Sequence, residues 1–158
     1  MKLPPCGLYR TTRPLGPVAA GRLVYFHNHG DPGPGIYLPE SWSCNRARFS
    51  IRGYTLADPE LAGTLQPLPA QGLYRVTERF TCCDKNCRTF APDLLVQLGY
   101  NTAAEPILFV PEWTARGLGF PERGSRLDPD RLARLAPLRV AEAEQGEDEP
   151  KREPGLLH

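Results

Sequence analysis

The chain has 158 residues, 41% hydrophobic and 23% charged, with a formal net charge of +1, which suits one ordinary domain or two very small ones with enough apolar material for a core. Its 18 prolines and 15 glycines argue against a helical bundle, because both break helix interiors, yet they stay below the proportion of a disordered low-complexity chain. No apolar run approaches the roughly 20 residues of a membrane-spanning helix, and the opening MKLPPCGLYR lacks the apolar core of a secretory signal, so the expectation is a cytoplasmic protein whose five cysteines are reduced thiols or metal ligands.

In chain order, Gly7–Arg10 (GLYR) alternates apolar and polar residues and predicts a first strand. Arg22–Phe26 is an apolar and aromatic run of strand type, and HGDPGPG after it is a turn. Ile36–Leu38 predicts a third strand, stopped by Pro39, which cannot donate to a ladder. Arg48–Arg52 predicts a fourth, ended by Gly53. Asp58 at the N-cap and Pro59 at the first position open a short helix, with Leu61 and Leu65 as its apolar stripe and Pro67 as its stop. The series then returns. GLYR recurs within Leu68–Thr77, Leu94–Leu98 and Ile107–Val110 read as strands, and Asp128 with Pro129 opens a second short helix ended by Pro137. The last residues, 141–158, hold six acidic and two basic side chains. Such a segment buries too little apolar surface to offset its ordering entropy, and predicts an acidic disordered tail.

This return is an internal repeat. LPPCGLYRTT (Leu3–Thr12) matches LPAQGLYRVT (Leu68–Thr77) at seven positions of ten. Further matches follow in the same order: Leu23 and Val24 with Leu95 and Val96, Pro39 and Glu40 with Pro111 and Glu112, Trp42 with Trp113, and DPELAGTLQPL (Asp58–Leu68) with DPDRLARLAPL (Asp128–Leu138). The fold expected is mainly β with short helices, a tandem duplication of a small bent β unit. Copy one spans 1–67 and copy two 68–140, and a unit this size buries little core alone, so the two should pack as a single pseudo-twofold domain with both tryptophans largely buried. The order GLYR, apolar strand, GIYLPESW is similar to that of the SH3-like barrels, where a strand ends in a proline beside an aromatic. That resemblance implies a small β-barrel in each copy.

Function is expected where the copies differ. Copy two carries an excess around TCCDKNC, with Cys82, Cys83 and Cys87. Thiolates suit zinc, and further ligands would have to come from Cys6, Cys44, His27 or His29 through the fold. Without metal, the segment is a polar loop offering Lys85 and Arg88 to a partner. Copy one carries FHNHGDPGPG, whose HNHGD begins like the HxHxDH string of metallo-hydrolases, but Pro32 replaces the final His. There is no phosphate-binding loop, no dinucleotide fingerprint and no nucleophile with a spaced base. The leading expectation is therefore a non-enzymatic interaction module that needs no cofactor and binds a protein or peptide through Tyr25, His27, His29, Arg46, Arg48, Lys85 and Arg88. The alternatives are nucleic-acid binding by an Arg-rich sheet on which Tyr9, Tyr25, Phe26, Tyr37 and Tyr74 stack bases, and a small zinc protein.

Overall fold

A computed structural model describes residues 2–30, 32–85 and 87–143. The expected acidic tail therefore lies, from residue 144 onward, outside the described residues. Among the described residues the protein is mainly β, with two short 3-10 helices and several small sheets. The first half contains β1 (Gly7–Arg10), β2 (Leu23–His27), β3 (Gly35–Tyr37), β4 (Pro39–Ser43), β5 (Arg46–Phe49), β6 (Tyr54–Thr55), a 3-10 helix (Pro59–Thr64) and β7 (Gln66–Pro67). The second contains β8 (Gly72–Val76), β9 (Phe80–Thr81), β10 (Thr89–Phe90), β11 (Leu95–Tyr100), β12 (Pro106–Phe109), β13 (Glu112–Thr114), β14 (Gly117–Gly119), β15 (Ser125–Arg126), a 3-10 helix (Pro129–Arg134) and β16 (Leu135–Pro137).

Each half forms an antiparallel five-stranded sheet, in the order β6-β3-β2-β1-β7 and β15-β12-β11-β8-β16. Without β9 and β10, the two halves have the same elements in the same order. GLYR occupies β1 and β8, and in both the tyrosine faces a valine across the ladder: Tyr9 opposite Val24, Tyr74 opposite Val96. Both tyrosines also donate their hydroxyl to the carbonyl four residues back, Pro5 at 2.7 Å and Ala70 at 2.5 Å.

Two expected strand ends differ. Pro39 does not stop its strand. It begins β4, paired with Phe49 across a register shift between Pro39 and Ser41. GIYLPESW is thus one bent path, turning from the sheet into the β4–β5 hairpin. The strand expected over Arg48–Arg52 lies earlier, as β5 (Arg46–Phe49), and the chain then passes Gly53, where an added Cβ would lie 2.6 Å from the Tyr37 ring, into β6. Gly124 has the matching role in the second half, 2.8 Å from Ile107. The helices are 3-10 turns of six residues, too short for an apolar stripe to make them α-helices once Pro67 and Pro137 follow.

Side-chain alternation on the first sheet sorts residues into two cores. Tyr9, Val24, Phe26, Ile36, Leu56, Ala62 and Leu65 form one inside the first half. Leu8, Leu23 and Tyr37 point the other way and, with Ala47 and Phe49 of the β4–β5 hairpin, join a second core with Tyr74, Val76, Val96, Leu98, Tyr100 and Leu108. The first sheet is covered on both faces, so β2 reads as an unbroken apolar run. The halves share a core, but not reciprocally. The β4–β5 hairpin lies against the second half, where Trp42 Nε1 donates to Tyr100 O at 2.8 Å. Trp113, at the matching position of the β13–β14 hairpin, is 84% exposed, and Trp42 itself is 41% exposed. The expected burial of both tryptophans is corrected: Trp42 is only partly covered where it meets Tyr100, and Trp113 stands on a hairpin face left open. Among the described residues the two hairpins differ in surroundings, β5 packing against β11 while Trp113 of β13 stays open.

Candidate functional site

The seam between the halves is built by polar side chains reaching backbone. The turn of the β4–β5 hairpin holds Cys44 and Asn45 at φ 50° and 64°, the left-handed pair that a tight hairpin needs. This aims Asn45 at the second half, where Nδ2 donates to Pro121 O at 2.9 Å and to Gln97 Oε1 at 3.3 Å. Gln97 Nε2 donates to Cys44 O at 3.0 Å, and Gln71 makes paired bonds with the Ala47 backbone, both 2.8 Å. A groove of about 590 Å³ opens beside this seam, lined by Trp42, Cys44, Tyr100, Ile107, Phe109 and Phe120 among others. Next to it the β13–β14 hairpin presents Trp113, Leu118 and, just beyond β14, Phe120, all exposed. None of these three belonged to the binding set read from the sequence. Part of their signal was present in the repeat, which matches Trp113 with Trp42 and Phe120 with Phe49.

The residues of the expected binding set are dispersed. Tyr25 is half-buried with its ring 5.8 Å from Phe49, packed against the shared core. Arg46 and Arg48 are exposed on β5, whereas Lys85 and Arg88 are exposed in the β9–β10 turn. Arg88 lies over the Phe90 ring at 5.4 Å and donates to Ser125 Oγ at 3.5 Å. Tyr9, Phe26, Tyr37 and Tyr74 are buried, so the stacking platform expected for nucleic acid is consumed by the cores.

His27 and His29 do come together, with a partner the sequence had placed only loosely. Gly7 pairs with Phe26, which puts Cys6 next to the end of β2. Its Sγ lies 3.4 Å from His27 Nδ1 and 3.9 Å from His29 Nδ1. The Asn28 amide donates to the same sulfur at 3.2 Å. The strand register, had it been fixed, would have disclosed this cluster.

The second cluster is Cys82, Cys83 and Cys87. The segment expected as an open loop is a short hairpin, β9 against β10, with Phe80 stacked on Phe90 at 5.0 Å. Cys82 N donates to Arg88 O, and Asp128 N donates to Cys82 O, both at 3.0 Å. Cys82 is buried while Cys83 and Cys87 are accessible. Sγ of Cys83 lies 3.6 Å from that of Cys82 and 3.8 Å from that of Cys87. Backbone amides of Cys87 and Lys85, and then the Cys82 side chain, lower the Cys83 thiol pKa. Cys87 is pushed up by the neighbouring Cys83 sulfur. The expectation that Cys6, Cys44, His27 or His29 would complete this group is corrected. The two clusters are separate, and Cys44 sits at the seam in neither.

No family model, curated protein or solved structure matches the chain.

Proposed function

We propose that this protein is a non-enzymatic interaction module, a duplicated pair of small SH3-like β-barrels that binds a protein partner through the β13–β14 hairpin. The observation that carries this reading is the unequal fate of two matching tryptophans. Trp42 is held against the other half through Tyr100 O, whereas Trp113 is 84% exposed. The first hairpin supplies the template for what covers the second: a protein surface with an apolar seat and a carbonyl for the indole N–H. Trp113, Leu118 and Phe120 together make an apolar cluster of the kind that marks an interface. The duplication is supported by the shared element order and the matched tyrosine hydrogen bonds. The barrel assignment is supported by the bent path through GIYLPESW and by the two five-stranded antiparallel sheets.

A photoreactive residue at position 118 identifies the partner by cross-linking, and calorimetry with that purified partner then measures the interface. Trp113→Ala with Leu118→Ser is expected to weaken the affinity at least tenfold while stability moves by no more than about 0.5 kcal/mol, the range of exposed substitutions. Unchanged affinity would refute the reading.

A further inference from the structure

The three cysteines of the β9–β10 hairpin ask for an occupant. Cys82 alone is explained as a small apolar filler of the core. Cys83 and Cys87 are not, since both reach solvent and still turn their sulfurs toward one point. All three Sγ atoms lie within 4.8 Å of one another, with the nearest pairs at 3.6 and 3.8 Å. A tetrahedral zinc ion with Zn–S bonds of about 2.3 Å spaces its sulfurs about 3.8 Å apart. The two nearest separations match the edges of such a tetrahedron, and both are much longer than the roughly 2.05 Å of a disulfide.

We propose that Cys82, Cys83 and Cys87 bind one zinc ion as thiolates, with the fourth coordination position left to water or an external ligand. Binding releases the three thiol protons to solvent, leaving a site with a net charge of about −1 from one divalent ion and three thiolates. The backbone amides of Lys85 and Cys87, which already favour the Cys83 thiolate, continue as donors to a metal-bound sulfur, the outer layer that orients thiolate ligands. The ion also answers a stability problem. Strands of two residues make a hairpin that is marginal by itself, and a metal clip closes it. The outside of the hairpin is tied down already, by Arg131 to Asp84 at 2.7 Å and by Asp128 to Cys82. Zinc would fix the inside. This proposal stands apart from the Trp113 interface and shares no residue with it.

Cobalt(II) serves as the probe, because thiolate-to-cobalt charge-transfer bands scale with the number of sulfurs bound. The Cys6→Ser, Cys44→Ser double variant retains only the hairpin thiols. It is expected to show a band of three-thiolate intensity with one equivalent of cobalt, abolished by one equivalent of zinc. Adding Cys83→Ser should weaken zinc binding at least tenfold. In the wild-type chain, zinc should protect Cys82, Cys83 and Cys87 from alkylation, mapped peptide by peptide, so the site is read even if a substituted chain fails to fold. Three thiols that alkylate equally fast with and without zinc would overturn the proposal, and so would a disulfide among them in reduced-purified protein.

Discussion

Tyr100 concentrates several constraints in one side chain. It ends β11, is almost fully buried, donates its hydroxyl to Pro69 O at 2.7 Å and lends its own carbonyl to Trp42. Burial pushes its phenol pKa well above the ordinary 10.0, with the nearby Tyr74 adding to the shift. Below the unfolded value both states hold the proton, and this contribution to stability is fully present. Above it the unfolded chain ionises first, and stability falls as pH rises toward the native pKa, by at most about 1.4 kcal/mol per pH unit. Tyr100→Phe should therefore cost about 1 kcal/mol at neutral pH, from the lost hydrogen bond, and make the alkaline limb shallower. Urea midpoints measured between neutrality and strong alkali check both effects. An equally steep limb in the variant would assign the alkaline loss to other groups. Nothing in the sequence marked this tyrosine. Its counterpart in the first copy is Asn28 by the alignment of Leu23 with Leu95, so the repeat itself hid it.

Strands were legible wherever local chemistry decides them. GLYR, the apolar runs and the Asp-Pro openings all mark real elements, because alternation and N-terminal proline act within a few residues. The hairpin β4–β5 was not legible. Its turn uses Cys44 and Asn45 rather than a glycine, and Pro39 reads as a stop although it sits at a bend. Nor was the docking of that hairpin, which depends on a glycine far along the chain. Gly99 lies under the turn, where an added Cβ would be 2.5 Å from Asn45 O and 3.2 Å from Phe109. The contact at Asn45 is backbone, so it cannot swing aside. Gly99→Ala is expected to lift the hairpin from β11 and cost about 1–3 kcal/mol, the range for overpacking. Amide exchange should quicken at Ala47 and Leu23, whose N–H groups bond Gln71 and Thr102 across the seam. A variant as stable as the parent, with the seam amides still protected, would mean the turn has room that the structure does not show.

At the scale of the whole molecule the two halves are unequal partners. The first half turns Leu8, Leu23 and Tyr37 of its sheet, and Phe49 of β5, outward into the second half, all four of them large and apolar. At its own seam the second sheet offers Gln97 and Gly99 instead. The difference lies at single positions: Tyr25 and His27 in β2 correspond to Gln97 and Gly99 in β11, whereas Leu8, Leu23 and Tyr37 are matched by Leu73, Leu95 and Phe109. Separating the halves should therefore affect them differently. Fragment 1–67 uncovers a contiguous apolar face, which at roughly 25 cal/mol per Å² drives association, and it is expected to elute as oligomers. Fragment 68–143 keeps Tyr74, Val76, Val96, Leu98, Leu108 and Leu127 together and has the polar Gln71 and Gln97 at its seam, so it should retain β structure and associate less than 1–67. Mixing the two should return 1–67 to a one-to-one complex. Size-exclusion chromatography with circular dichroism on each fragment and on the mixture decides the matter. A monomeric, folded 1–67 alone would show that the shared core is dispensable to the first half and that the two units associate only at their surfaces.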